Sequence, residues 1–393
     1  MTAVTNLAGA SNYVLQEAIS GYSDEAYTNA RKLSGTGIIG SNDQIDVKTE
    51  TFMGQIRWNK PLNPTINVAS LTDSTDGTTT SYTTDFLKYI KTVRTHGAEK
   101  VNMQEVVTQI DGLAKIGRDF GETKAQDEHN AILAVLKGVA ISEALNGAAT
   151  GSGATGLGGQ TFDNDPTDER YGFYVDLGAA SLVTDADTAN IGAQRANGFL
   201  NAVGMAYKDY EPNYMYLITS PEVFASLRSA NLVDADRVVD GSVEFNTIFQ
   251  GKFRLLQTRA TQGMSTAELT KINTGAGVDI VGTKTSFIVH PGAIAMRALS
   301  VPLPTEIERD AAAYQGGGTT EIWYRWGYVL APAGYDWAGA DNAFPSDAAY
   351  KYAVEDGTPV ALTGVTTIAD ATGTWIRKFS SALSLGILPV FHS

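Results

Sequence analysis

Apolar and polar positions alternate most regularly within Val301 to Ala331, where Ile322, Tyr324, Trp326, Tyr328 and Leu330 interleave with Trp323, Arg325, Gly327 and Val329. A period of two carried by aromatic and β-branched residues predicts a strand. The arm before it puts Leu299, Val301, Leu303 and Ile307 on one face. Pro302 and Pro304 lack the amide that a central strand donates, so this arm is predicted to be an edge strand. Between the arms lies AAAYQGGG, where Gly316, Gly317 and Gly318 permit unusual backbone at a turn. Arms of about ten residues would each reach roughly 33 Å. The pattern suits an ordinary sheet hairpin as well as an arm that meets a neighbouring subunit.

Helical spacing is clearest from Leu113 to about Leu145, which contains no proline. Leu113, Ile116 and Phe120 form a thin stripe, and Ile132, Leu133, Leu136, Val139 and Ala140 a stronger one, predicting a rod of roughly 45 Å. The first half contains Gly117 and Gly121, with Lys115/Asp119, Arg118/Glu122 and Lys124/Glu128 at i,i+4 spacing in the weaker cation-first order. It is expected to face solvent or another subunit, and the second half to lie on a sheet. Asn102 is placed to cap a short helix containing Glu105 and Ile110, which Asp111-Gly112 interrupts.

Residues 1–50 offer short helical pieces, Tyr13 to Ile19 and Ser23 to Leu33, then SGTGIIGSND, with too little apolar periodicity for a core of their own. They read as an arm lying on something else. From Val47 to Val101, TFMGQIRW and PTINVASL are strand-like, SLTDSTDGTTTSYTT is a polar tip and FLKYIKTVRTHG returns, which fits an extended hairpin loop. The glycine-rich GAATGSGATGLGG at 147–159 and the acidic DNDPTDER after it mark a boundary. Beyond them strand, turn and helix alternate: a helix at Ala193 to Lys208, the strand YMYLIT, a helix capped by Ser220-Pro221, and the strands FRLLQTRA and SFIVH. After the first hairpin described, GYDWAGADNAFPSDAAY reads as loop. VALTGV and WIRKFSSALSLGILPVF read as closing strands with a docked C-terminus.

Composition narrows the class. With 393 residues, 43% hydrophobic and 18% charged, the chain can bury the cores of two or three domains, and 40 glycines favour mixed α and β over a helical bundle. A net charge of -14 and a pI near 4.7 repel nucleic acid and anionic membranes, so any contact with DNA is expected to be passive. The absence of cysteine removes disulfides and thiolate chemistry. The N-terminus lacks the pattern of a secretion signal, and no apolar run approaches the roughly 18 residues of a spanning helix, so the protein is expected to be soluble when made.

No catalytic constellation emerges. Gly35 to Gly40 and Gly151 to Gly156 both match G-x-G-x-x-G, but the second leaves a helix for an acidic loop, and neither has the strand-to-helix setting that pyrophosphate binding requires. His96, His129, His290 and His392 are scattered. His129 is expected at the surface, since adjacent Asp127 and Glu128 point elsewhere on a helix. Asp163/Asp165, Asp185/Asp187 and Asp234/Asp236 lack the glycine and distal Glu of a calcium loop and read as solvated charges. No cofactor or metal site is expected. Glu306, Glu308 and Asp310 share one face of the first hairpin arm and, with Arg309 and Arg325, suggest ion pairs within the hairpin or across a subunit boundary.

HPGAIAMR at 290–297, PLPTEIERDAAAYQGGGTTEIWYRWGYVLAPAGYDW at 302–337 and AVLKG at 134–138, taken with the order of elements, resemble the major capsid proteins of tailed bacteriophages. The resemblance implies an α+β Hong Kong 97-type capsid fold: an N-terminal arm at 1–50, an extended loop at 51–101, and a peripheral domain from 102–159, with its spine helix, and 296–336, with its long hairpin. The axial domain would come from 160–295 and 337–393. It further implies self-assembly through hexamers and pentamers into a virion capsid, built in the host cytoplasm. The implied partners are portal and scaffolding proteins, a decoration protein, and packaged double-stranded DNA contacted passively, with no membrane. Assembly contacts would fall on Gln315, Gly316, Gly317, Gly318, Glu306, Glu308, Arg309 and Arg325. Some members cross-link a lysine to an asparagine; Lys60 and Lys88 lie in the loop, but no local signature assigns such a bond. The same fold also serves cellular nanocompartment shells of the encapsulin type. From a different class, a soluble metal-dependent α/β enzyme would rely on carboxylates such as Asp163 and Asp234.

Overall fold

The computed structural model describes residues 3–31, 33–59, 84–101, 112–148, 174–176, 213–240, 243–248, 251–258, 284–310, 318–339, 343–351, 354–355, 358–359, 374–378 and 385–392. The expected helices at 102–110 and 193–208, the strands PTINVASL and VALTGV, the linker beyond Ala148 and the tip at 311–317 lie outside the described residues.

The described helices are α1 (Ala3–Ala30), α2 (Gly112–Ala148), α3 (Pro221–Ser229) and α4 (Asp347–Lys351). Strands run in chain order from β1 (Ile39–Gly40), β2 (Met53–Asn59), β3 (Thr84–Val101) and β4 (Val175–Asp176) to β5 (Met215–Thr219), β6 (Val233–Asp240), β7 (Val243–Ile248), β8 (Phe253–Gln257) and β9 (Lys284–Val289). There follow β10 (Ile294–Ala298), β11 (Thr305–Asp310), β12 (Thr319–Pro332), β13 (Tyr335–Trp337), the small hairpin β14 (Val354–Glu355) and β15 (Thr358–Pro359), β16 (Trp375–Arg377) and β17 (Ile387–His392). One sheet has the order β1-β10-β12-β3-β2, with β11 also on β12. The other has the order β4-β17-β9-β5-β8-β7-β6.

The second sheet forms much as its apolar runs predict. β5, fully buried, pairs in parallel with β8, and Ser220 caps α3 by accepting from the Val223 amide at 3.3 Å ahead of Pro221. β17 is buried along its whole length between β9 and β4, so the terminal apolar residues are docked. The chain crosses to the first sheet at His290-Pro291-Gly292. Gly292 adopts φ +70° there, and a Cβ at Gly40 would lie 3.2 Å from its Cα, so two backbones pass in close contact. Burial holds the His290 imidazole down to a pKa of about 4.

In the first sheet, β12 carries β10 and β11 along one edge and β3 along the other. Ala298 faces Tyr328 while Thr305 faces Tyr324, so 299–304 span only 325–327 and the surplus bulges outward. The prolines explain the bulge: Pro302 and Pro304 give the ladder no amide, and Leu303 between them takes φ +51° and is 67% exposed. The single apolar face expected for Leu299, Val301, Leu303 and Ile307 is thus divided. Leu299 and Val301 pack with Val329, Ile307 joins the main core, and Leu303 faces out. Among the described strands β11 pairs only with β12 and is the expected edge strand.

Two expectations for the N-terminal part change. Instead of short pieces, Ala3–Ala30 is one helix, and it covers the half of α2 that was expected to face solvent or a neighbour. Packing along α2 overrides weak local propensity. Gly117 and Gly121 form the notch that admits it: a Cβ on Gly121 would lie 2.2 Å from the Ser23 carbonyl oxygen and 2.8 Å from the Tyr27 nitrogen. Across the seam Tyr27 donates to Glu128 at 2.6 Å, and the cations of Arg118 and Lys124 lie over the rings of Tyr22 and Tyr27. Burial pushes both the Glu128 carboxyl and the Tyr27 phenol up. Next, residues 43–51 strap the sheet. Buried Lys91 donates to the Asp46 carboxylate (2.8 Å), the Lys48 carbonyl (2.5 Å) and Thr51 (3.0 Å), and Arg297 donates to the carbonyls of Asp43 and Ile45.

The segment expected as loop after β12 contains β13 and α4. β13 pairs with β16, and the rings of Trp337, Tyr350 and Trp375 form an aromatic layer on α2. Gly138 makes room for it, since a Cβ there would collide with the Tyr350 carbonyl oxygen. The Trp375 indole donates to that same oxygen at 3.0 Å. The glycine of AVLKG is thus a packing requirement.

Replacing Gly121 by Ala should displace α1 and destabilise the fold by about 1–3 kcal/mol, read as a lower Tm and faster proteolysis within residues 3–30. The neutral His290 ring adds stability that is full above its ordinary pKa of 6.5 and is lost as pH falls toward about 4, because the unfolded chain takes up the proton first. His290→Asn should therefore flatten the decline of Tm between those two values, as thermal unfolding across a pH series would show.

Candidate functional site

β3 pairs with β2 at one end and with β12, the return arm of the β11–β12 hairpin, at the other. Its first residues pair with β2, from Asn59 opposite Thr84 to Met53 opposite Ile90, and its last eleven pair with β12, from Lys91 opposite Val329 to Val101 opposite Thr319. At about 3.3 Å per residue its 18 residues span roughly 60 Å. All of β3 lies within the stretch 51–101 that was expected as an extended loop, and its second half pairs with the return arm of the expected hairpin.

A carboxylate on α2 fixes both to the helix. Asp127 accepts from the Trp326 indole (2.9 Å), the Tyr328 hydroxyl (3.0 Å) and Arg94 Nε (3.3 Å). Arg94 also donates to the Pro345 carbonyl (2.7 Å) and to Asp347 (3.0 Å), and Thr92 on the same strand hydrogen-bonds Tyr350. Burial pushes the Asp347 carboxyl up and the Tyr328 and Tyr350 phenols above their usual range. A second pair, Arg377 with fully buried Glu143 at 3.2 Å, joins β16 to α2.

At the distal end, Arg325 donates to Glu306 at 2.7 Å and to the Leu303 carbonyl at 3.2 Å, an ion pair within the hairpin. Glu308 lies opposite Glu321, and Glu321 opposite Glu99, so three carboxylates stand in a row across β11, β12 and β3. Beside them Trp323, 38% exposed, lies against Gly97, where a Cβ would sit 2.7 Å from its ring. Arg309 faces the opposite side, across from Thr320. Gly318, with φ +70°, begins the return arm, whereas Gln315, Gly316 and Gly317 lie outside the described residues. Sequence reasoning missed Glu99 and Glu321, because only strand register brings them beside Glu308. At the proximal end it missed Arg57 and Phe86, direct cross-strand partners flanked by Lys88. Phe86 is 53% exposed, and its alternation with buried Leu87 was a signal available in the sequence.

The residues weighed for other chemistry have structural places. His129 is half-buried instead of at the surface, 3.4 Å from the Thr258 hydroxyl, because α1 and the second sheet close around that part of α2. His392 Nε2 lies 2.9 Å from Ser286 Oγ, itself 2.9 Å from Thr219 Oγ1, but all are buried inside the sheet where no substrate reaches. Asp234 accepts from the Gly251 amide at 3.2 Å and holds a turn; Asp163 lies outside the described residues. Gly35 to Gly40 runs from a helical turn into β1, the reverse of a dinucleotide loop. Among the described residues no group of His, Asp or Glu gathers as metal ligands, and no helix is long and apolar enough to cross a membrane.

Asp127→Ala leaves the Trp326, Tyr328 and Arg94 donors without this acceptor. It should lower stability by roughly 2–3 kcal/mol in denaturant titration, against about 1 kcal/mol for Trp326→Phe, which removes one donor.

No protein-family model and no curated protein matches the chain. Among solved structures, the capsid of Ralstonia phage GP4 aligns with 14% identity and a TM-score of 0.44, over 78% of this chain and 87% of that one. The capsid structure of the cyanophage P-SCSP1u aligns with 10% identity and a TM-score of 0.41, over 89% and 87%. The mature capsid of bacteriophage PhiM1 aligns with 15% identity and a TM-score of 0.40, over 73% and 81%. The chain is thus similar, at low identity, to capsid structures from several phages.

Proposed function

We propose that this chain is the major capsid protein of a tailed bacteriophage, a non-enzymatic shell subunit that self-assembles through hexamers and pentamers into an icosahedral head around double-stranded DNA. The observation that carries this reading is β3. A strand of 18 residues, about three times the usual length, supports hairpins at both ends, each with an exposed aromatic residue beside charged residues and each held to a rigid helix. Such a girder is longer than a single core requires and suits contacts between subunits. The residues carrying the sequence resemblance fall on structural essentials: the His290–Gly292 crossover, the bulged β11–β12–β13 segment and the Gly138 notch.

In this reading 1–50 form the N-terminal arm and 51–101 the extended loop. The peripheral domain comprises 102–159 and 296–336, and the axial domain 160–295 and 337–393. Portal, scaffolding and decoration proteins are the partners, in the host cytoplasm during assembly and then in the virion. Net negative charge keeps the contact with packaged DNA passive.

Electron microscopy and light scattering of the purified chain, with and without a co-expressed scaffold, should show closed megadalton shells, and a persistent monomer in both conditions would refute the reading. Deletion of Gln315–Gly318 should preserve the circular dichroism spectrum and thermal unfolding while reducing particle yield. Normal shells from this variant would remove the role assigned to the tip.

A further inference from the structure

The seam between α1 and α2 buries polar groups as well as apolar ones. At its notch the two helices approach so closely that a Cβ on Gly117 would lie 2.8 Å from Tyr22 Cβ and 3.1 Å from the Ile19 carbonyl oxygen. Sealed in the same seam are Ser23, fully buried, and Glu128, 3% exposed. The Ser23 hydroxyl is without a hydrogen-bond partner among the described residues, and so is Arg31 Nε just past the end of α1. Unmatched polar atoms subtract from what apolar contact gains, so α1 is held less firmly than its close fit suggests.

Glu128 is the group in this seam whose charge can change near neutral pH. One of its carboxyl oxygens accepts from the Tyr27 hydroxyl of α1 at 2.6 Å, and Ser34, in the turn Leu33–Gly35, also hydrogen-bonds to it. The charges around it are Lys124 and Asp127 on its own helix, while Arg31 lies beside Tyr27. Lys124 also reaches the Tyr27 ring, 4.2 Å from its centre. Burial outweighs the Tyr27 and Ser34 hydrogen bonds and the Lys124 charge, and holds the carboxyl above its usual range. Because α1 covers this part of α2, removing the helix returns Glu128 toward its ordinary value of 4.5.

We propose that protonation of Glu128 latches α1 onto α2, and that ionisation of the same carboxyl loosens the helix from its glycine notch. Docking then takes up a proton. Its contribution is most favourable below the ordinary value of 4.5 and is lost as pH rises through the higher value of the docked state. The sign is opposite to that of His290, whose neutral ring stabilises the fold at higher pH. Release uncovers the Gly117 and Gly121 face of α2 and leaves both sheets in place. The latch operates within a single chain and stands or falls apart from shell formation.

Hydrogen exchange of the full chain, corrected for the intrinsic effect of pH on exchange, should show α1 opening several-fold more often at about pH 8 than at about pH 5, with the amides of β5 and β17 unchanged. Glu128→Gln keeps the size of the side chain and an acceptor for Tyr27 but cannot ionise, so α1 should be as protected at the higher pH as the parent is at the lower. Tyr27→Phe leaves the ionised carboxyl without its donor and should widen the difference between the two conditions. Equal opening of α1 at both pH values in the parent, or a pH dependence that survives in Glu128→Gln, would overturn the latch. Neither result touches the capsid reading, which particle formation decides.

Discussion

Asp127 receives hydrogen bonds from Trp326 and Tyr328 on one strand and from Arg94 on its neighbour, and Arg94 extends the network to Pro345 and Asp347. One carboxylate on the long helix therefore fixes the rotation and height of the helix over the sheet. Apolar packing alone is non-directional and would tolerate sliding of α2 along β12. Directional bonds to a partly buried charge do not, since every alternative register leaves donors unmatched. The long hairpins consequently project from a stiff base.

Close approach is the second constraint. Gly117 and Gly121 admit α1, Gly138 admits the Trp337–Tyr350–Trp375 layer, and Gly54 lies under the ring of Tyr89, whose hydroxyl accepts from the Asp46 amide at 2.7 Å. In each case backbone or ring occupies the volume a methyl would need. The glycines of this chain therefore act in packing as well as in turns. The strap at 43–51 works differently: Lys91, fully buried, spends its donors on Asp46, the Lys48 carbonyl and Thr51, so an irregular segment is anchored by charge and hydrogen bonds. The same contacts draw the Asp46 carboxyl below its usual range, chiefly through the Lys91 hydrogen bond.

Stiffness at the base contrasts with imbalance at the ends. Like charges opposed on neighbouring strands are unfavourable in one chain, and they occur, with half-exposed aromatic rings nearby, where β3 leaves the core. The well-packed centre supplies the stability that lets the ends retain groups suited to association. A shell subunit has this division of labour, because each of its many contacts is individually modest.

Local order determined a good part of the molecule from sequence. The period-two run from Ile322 to Leu330, the proline-free span of α2, the Ser220-Pro221 cap and the terminal apolar strand all depend on neighbours in the chain, and each appears in the structure. The edge position of β11 was legible too, since a proline without an amide announces its effect. What tertiary structure decided depends on distant partners. Ala3–Ala30 became one helix because α2 offered a notch, and Glu99, Glu321 and Glu308 came into line through register. Side-chain periodicity is a property of a segment, whereas register and helix coverage are properties of a pair, and a single sequence specifies the first far more directly than the second.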